Sequence, residues 1–146
     1  MQTILFGTDG SPSAEAALEF AIELCRDTGA DLRVLAVQPP RPRGRGGALA
    51  ILEIEEPGGA GRIAERAVER AREAGLAAVA LTGHGEPAAV IAEEARAGSA
   101  DLVVVGSRGL GPVSGVLMGS VSRTLVTRAE VPVTVVLSQH DHAVVA

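Results

Sequence analysis

Short runs of consecutive apolar residues alternate along the chain with longer segments in which apolar residues recur every three or four positions. The first pattern is typical of strands buried on both faces, and the second of amphipathic helices. The sequence therefore predicts five strands, over residues 3–8, 31–37, 76–82, 102–105 and 131–137. It predicts four helices, over residues 13–28, 61–74, 88–97 and 121–128.

Local signals add detail to the first two helices. Ser11, followed by a proline, suits the N-cap of the first helix, and Gly29 suits its C-terminal stop. Cys25 lies among apolar positions of that helix, so we expect a buried and unreactive thiol. On the second helix, arginines and glutamates spaced three apart, such as Arg70 and Glu73, predict ion pairs along its own surface.

The alternation of strands and helices predicts an α/β fold with a parallel sheet between two layers of helices, which is a three-layer, Rossmann-like arrangement. Ligands of such folds bind beyond the carboxyl ends of the strands, where the strand order reverses. In a sheet of order 3-2-1-4-5, the first and fourth strands are neighbours. Asp9 follows the first strand and Gly106 follows the fourth, so we expect both at that place.

Charge and composition limit the classes of partner. The formal net charge is −5 and the chain has neither tryptophan nor tyrosine, so we expect no nucleic-acid partner. All 13 basic residues are arginine, which excludes a Walker-type phosphate loop. Phe6 and Phe20 occupy core-like positions, so a bound base would lie against aliphatic side chains.

The length of 146 residues and the apolar content of 47% predict one domain over residues 1–146. No apolar run reaches transmembrane length and the start lacks a basic signal segment, so we expect a cytoplasmic protein without a membrane partner. Residues 38–59 predict a flexible loop, whose arginines are either simply exposed or available to an acidic partner. Residues 138–146 predict a frayed tail; the alternative interpretation is that His140 and His142 bind a metal ion.

A glycine-rich segment follows the fourth predicted strand directly. It reads Gly106-Ser107-Arg108-Gly109, then nine residues, then Gly119-Ser120-Val121-Ser122. Glycines allow the backbone to approach an anion, and a helix N-terminus supplies unpaired N–H groups. The pattern predicts a phosphate site in which Arg108 either contacts phosphate or points to solvent.

Two further side-chain groups allow two interpretations. Asp9 either binds a ligand, through sugar hydroxyls or a phosphate-bound Mg²⁺, or is only a helix-capping residue, which the local Asp9-Gly10-Ser11 sequence taken alone favours. Ser120 and Ser122 either bind phosphate or act only as helix caps, and the nearby glycines favour the ligand role.

The glycine pattern resembles that of the universal stress protein (UspA) superfamily, in its ATP-binding branch. Gly106, Gly109, Gly119 and Ser120 match the G-2x-G-9x-G-[S/T] motif of that branch, and the opening Thr8-Asp9-Gly10-Ser11 is also similar. The resemblance implies an adenine nucleotide α-hydrolase-like fold that binds ATP with Mg²⁺, or ADP, AMP or cyclic AMP. It also implies a homodimer, which fits the apolar strand 131–137 as an edge strand that pairs with a second subunit.

The resemblance also implies roles for individual residues. Thr8 and Asp9 would contact the nucleoside end, and Val37 would offer its backbone to adenine. The phosphates would lie against Gly106, Arg108, Gly109, Gly119, Ser120, Val121 and Ser122.

The sequence suggests regulation by a bound nucleotide more than catalysis. Rapid phosphoryl transfer needs an oriented base or water, and His84, in a predicted turn, is expected to be exposed to solvent. We therefore expect no catalytic residue and at most slow ATP hydrolysis. The alternatives are a nucleotide-independent dimeric interaction module of the same fold and an adenylating-ligase-like enzyme, for which the chain lacks the extra catalytic segments.

Overall fold

The computed structural model describes residues 1–40, 59–108 and 118–138. In these ranges the strands are β1 (Thr3–Thr8), β2 (Asp31–Gln38), β3 (Ala78–His84), β4 (Leu102–Gly106) and β5 (Val133–Val136). The helices are α1 (Pro12–Thr28), α2 (Ala60–Glu73), α3 (Pro87–Ala97) and α4 (Ser120–Arg128). Most of the expected loop 38–59 and tail 138–146, including both tail histidines, lies outside the described residues.

The five strands form one parallel sheet in the order β3-β2-β1-β4-β5, which confirms the predicted fold. β1 is central, and Phe6 is in register with Val34 of β2 and Val104 of β4. Because every crossover contains a helix, both faces of this sheet are covered. None of the helices in the described ranges is long and apolar enough to span a bilayer.

Two hydrophobic clusters lie on opposite faces of the sheet. Alternate residues of β1 separate into them: Ile4 and Phe6 pack with α1 and α2, whereas Leu5 packs with α3 and α4. Val104 and Val103 of β4 divide between the two faces in the same way. The period of two along each strand therefore distributes the apolar residues between two helix layers.

Capping bonds fix the beginnings of α1 and α3. The Ser11 hydroxyl accepts a hydrogen bond from Ala14 N–H, as the sequence predicts, and Gly29 ends α1 in a left-handed conformation with φ of 75°. Glu86 caps α3 by accepting from the N–H groups of Ala88 and Ala89.

The bounds of two strands differ from the prediction. β3 begins and ends two residues later than 76–82, because its pairing with β2 continues to His84 and Gly85 N–H then donates to the Gln38 carbonyl. β5 is shorter than 131–137, since its register with β4 covers only Val133–Val136. His84 therefore ends an edge strand instead of lying in a turn, and it is exposed.

Three individual side chains also test the sequence analysis. Cys25 is buried as predicted, and burial, with a smaller contribution from Asp31, raises its pKa to about 11. Phe20 is 38% exposed, so its core-like assignment is wrong; it lies on the outer side of α1. Arg70 forms an ion pair of 2.9 Å with Glu19 of α1 instead of the predicted pair with Glu73, because α1 and α2 pack side by side on one sheet face.

We expect Asp101→Asn to remove a pH-dependent contribution to stability. The carboxylate accepts hydrogen bonds from the N–H groups of Thr3 and Gln2, which lower its pKa. A lowered pKa stabilises the fold above the pH at which the unfolded residue titrates, about pH 4, and the contribution is lost as the pH falls through the folded-state pKa.

Thermal unfolding of both proteins from neutral to acid pH checks this expectation. The wild type should unfold at the higher temperature near neutral pH, and the difference should disappear in acid. Asp27→Asn, which removes a charge of the same sign from the last turn of α1, is the control. A wild-type advantage that is the same at every pH would contradict the expectation.

Candidate functional site

The carboxyl ends of β1 and β4 lie side by side at the point where the strand order reverses. The chain leaves β1 at Thr8 to enter α1, and it leaves β4 at Gly106. α4 begins beside the same place, since Gly119 N–H donates to the carbonyl of Ser107. The structure therefore brings together the two segments that the sequence analysis expected to be neighbours.

The loop between β1 and α1 is held by its own side chains. Thr8 Oγ1 accepts from Gly10 N–H at 3.1 Å, and Asp9 Oδ1 accepts from Ser11 N–H at 2.9 Å. Gly10 has a φ of +77°, which other residues rarely adopt. One oxygen of the Asp9 carboxylate thus stabilises the turn, whereas the N-cap of α1 is Ser11, so the predicted capping role of Asp9 is wrong. The second carboxylate oxygen is the one that a ligand could use.

Ser107 connects the end of β4 to three other elements. Its N–H donates to the Val136 carbonyl of β5 at 3.0 Å, and its own carbonyl accepts from Gly119 N–H and from the Ser122 hydroxyl. Its hydroxyl lies 3.3 Å from that of Ser13 in α1. Since Ser107 is completely buried, these bonds replace contacts with water and hold the four elements together.

Gly106 is a glycine because α1 comes close to it. A Cβ built at this position would lie 2.7 Å from the backbone carbon, the backbone oxygen and the hydroxyl oxygen of Ser13. Contacts of that length to a helix backbone do not occur without a shift of the chain. The packing of α1 therefore explains why this residue is glycine, and no approach of a phosphate is needed to explain it.

The first turn of α4 has neither a side-chain cap nor an acidic residue. Its N-cap, Gly119, makes no side-chain capping bond, and its first turn contains no acidic residue. Ser120 is exposed at the first helical position, and Val121 is half-buried against the cluster around α3 and α4. In general, the first N–H groups of a helix have no partner within the helix, and the helix dipole favours negative charge at its N-terminus.

Ser122 has a structural task. It is buried, and its hydroxyl lies 3.1 Å from the carbonyl oxygens of both Ser107 and Gly119. Because a hydroxyl has one proton, these two carbonyls share it. Ser120 is therefore the more available of the two serines for a ligand.

Three candidate residues remain: Arg108, Val37 and Gly109. Arg108 is half-buried; its N–H donates to Ser13 Oγ at 3.1 Å and its carbonyl accepts from Ser11 Oγ at 3.4 Å. Val37 lies near the carboxyl end of β2, one residue beyond the pair formed by Thr8 and Ala36. Gly109 lies outside the described residues.

Ser13 and Ser107 belong to the site but were not among the predicted site residues. Ser107 stood inside the glycine pattern, and its position directly after a buried strand was the available signal. Ser13 had no signal, because its partner residues lie 94 and 95 positions away in the chain.

A preformed metal centre is not part of the described site. Residues 1–40, 59–108 and 118–138 contain no group of three or more His, Cys, Asp or Glu side chains able to hold a metal ion. Asp9 contributes one carboxylate, which fits a cation that arrives mainly coordinated by phosphate oxygens.

The fold and the site define a doubly wound α/β protein in which α4 begins, without a side-chain cap, beside the switch point of the sheet. The model of the universal stress protein family matches residues 1–136. A universal stress protein from Thermus aquaticus is 35% identical over 144 residues, which cover 92% of this chain and 98% of that protein. The chain belongs to the universal stress protein family.

Solved structures of related proteins agree with this assignment. A universal stress protein in complex with cAMP is 30% identical, covers 92% of this chain and 96% of its own, and has a TM-score of 0.71. The universal stress protein from Archaeoglobus fulgidus in complex with dAMP is 25% identical, covers 92% and 97%, and has a TM-score of 0.67.

We expect Gly106→Ala to destabilise the fold by about 1–3 kcal/mol, because the new methyl group would overlap the α1 backbone at Ser13. Equilibrium unfolding in urea measures this loss. Gly61→Ala is the matched control: the nearest atom to its added Cβ is Thr82 Cγ2 at 3.9 Å, and alanine favours the helix by up to about 1 kcal/mol. Equal effects of the two substitutions would contradict the steric explanation.

Proposed function

We propose that this protein binds an adenine nucleotide, ATP with Mg²⁺, at the carboxyl ends of β1 and β4 and works as a nucleotide-dependent regulatory protein. The observation that supports this most is the uncapped, acid-free first turn of α4, held beside β4 by the buried Ser107. Relatives in complex with cAMP and dAMP indicate the same class of ligand.

The phosphates lie against the N-terminus of α4. Its first N–H groups and its dipole supply the positive potential that lysine supplies in other nucleotide sites. Ser120, exposed at the first helical position, adds a hydroxyl donor, while Gly119 and Val121 contribute backbone groups. Arg108 belongs to the same side of the proposed site, and Gly109 is its neighbour in the sequence.

The nucleoside lies toward the ends of β1 and β2. Thr8 and Asp9 face the sugar, with the second Asp9 oxygen accepting from its hydroxyls. The backbone near Val37 reads the base edge, because β2 extends past its last residue paired with β1. This division assigns phosphate binding to the β4 side and base recognition to the β2 side.

Mg²⁺ comes with the triphosphate and is held chiefly by its oxygens, with Asp9 as the available carboxylate. Turnover is slow at most. His84 ends β3, the edge strand that β2 and β1 separate from β4, so it is far in the sheet order from the proposed phosphate site. Multiple-turnover phosphate release abolished by Asp9→Ala would overturn this part of the proposal.

The protein also forms a homodimer in this proposal, through β5. Val133–Val136 is the edge strand, its residues are only partly buried, and the following Leu137 is 47% exposed. Pairing with the same strand of a second subunit would cover both the edge and Leu137. A cytoplasmic location stays a prediction.

Calorimetric titration of ATP and Mg²⁺ into nucleotide-free protein, compared with Ser120→Asp, tests the phosphate site. An aspartate at the first position of α4 interacts favourably with the helix dipole, but its negative charge repels phosphate. We therefore expect saturable ATP binding that weakens about tenfold or more in the variant, about 1.4 kcal/mol, with no loss of thermal stability. Adenosine affinity should not change.

Ser99→Asp is the charge-matched control. Ser99 is exposed between α3 and β4, at the opposite end of the sheet, and its φ of 51° is one that aspartate tolerates. Absence of binding of ATP, ADP, AMP and cyclic AMP to the wild type would instead favour the nucleotide-independent interaction module. Equal weakening in both variants would contradict the assigned position of the phosphates.

Light scattering of the wild type and Leu137→Glu tests the dimer. We expect the mass of two chains at micromolar concentration for the wild type and a shift toward the monomer for the variant, because a carboxylate buried in the interface is costly. Val79→Glu is the control, since Val79 is 50% exposed on β3, the edge strand at the opposite side of the sheet. A monomeric wild type would remove the dimer from the proposal.

A further inference from the structure

Ser13 has an unusual position for a helical serine. It lies at the second residue of α1 and is only 6% exposed. Serines inside helices commonly bond to their own helix or face solvent. Here the hydroxyl points across to the end of β4, where it contacts two consecutive residues.

The hydrogen-bonding capacity of this hydroxyl is used by the protein itself. Ser13 Oγ accepts the N–H of Arg108 at 3.1 Å and lies 3.3 Å from the Ser107 hydroxyl, one of the two hydroxyls being the donor. A ligand is therefore not its natural partner. Any effect of Ser13 on a ligand must act through residues 107 and 108.

We infer that Ser13 is a positioning residue that fixes the backbone at Ser107 and Arg108 against α1, and that it thereby sets the phosphate side of the nucleotide site. The part of this inference that concerns phosphate rests on the proposed function. The part that concerns the Arg108 backbone does not, because it is a property of the protein without ligand.

The bonds form a continuous path from α1 to α4. Ser13 holds Ser107 and Arg108, and the Ser107 carbonyl in turn holds Gly119 N–H and the Ser122 hydroxyl at the beginning of α4. The missing side chain of Gly106 is what allows α1 to come this close. Loss of the Ser13 hydroxyl would release the backbone at Ser107 and Arg108, within the glycine-rich segment, while leaving β1, β2 and the nucleoside side in place.

The experiment compares wild type, Ser13→Ala and Ser13→Cys. Calorimetry measures the affinities of ATP and adenosine, and hydrogen exchange measures protection of the Arg108 amide without nucleotide. We expect Ser13→Ala to weaken ATP about tenfold, to change adenosine affinity by less than about twofold and to expose the Arg108 amide to faster exchange. Ser13→Cys, which keeps the branching but replaces oxygen with a somewhat larger and weaker acceptor, should fall between the two.

Ile22→Val is the control for general destabilisation. Ile22 is 2% exposed in the core of the same helix, so its truncation lowers stability without touching the site. We expect its ratio of ATP to adenosine affinity, and its Arg108 exchange, to equal those of the wild type.

Each failure has its own meaning. Equal weakening of ATP and adenosine in Ser13→Ala, or unchanged exchange at Arg108, would overturn the positioning role. If the wild type bound neither ligand, the proposed function would fail, and the Arg108 exchange alone would then decide whether Ser13 fixes this backbone.

Discussion

The hydrogen bonds of the buried Ser107 are the constraint on which the functional end of this protein depends. One residue joins β4 to β5 through its N–H, to α4 through its carbonyl and to α1 through its hydroxyl. A parallel sheet alone would align the strands but would not determine how the following helices begin. The buried serine connects these beginnings, and an unpaired polar group at this depth would cost about 1–3 kcal/mol.

The parallel sheet explains why the chemistry lies where it does. Both faces are buried under helices, so the strands are apolar over most of their length and polar groups concentrate at their ends. The ends of β1 and β4 carry Thr8, Asp9 and Ser107, and α4 adds an open N-terminus. In the proposed function, backbone dipoles at the start of α4 take the place that lysine charge has in other phosphate sites.

Small residues make the close contacts between the layers possible. Ala17, Ala21, Ala64 and Ala71 are completely buried where α1 and α2 face the sheet. On the other face, a Cβ at Gly7 would lie 2.8 Å from Ile91 Cδ1 of α3. Gly106 belongs to the same class, since its role is to admit α1, and the site inherits its shape from this packing.

The sequence by itself determined the elements, the parallel sheet and the position of Asp9 and Gly106 after two neighbouring strands at the switch point. Apolar periodicity and the rules for crossovers are sufficient for this, because they act locally. It also located the glycine pattern that is typical of the family. Only the tertiary structure decided that Ser13 and Ser107 form the centre, that Ser122 serves the backbone, that Phe20 is exposed and that Arg70 pairs with Glu19. The physical reason is distance along the chain: a hydroxyl at residue 13 finds its partners 94 and 95 positions later, and periodicity carries no information about such partners.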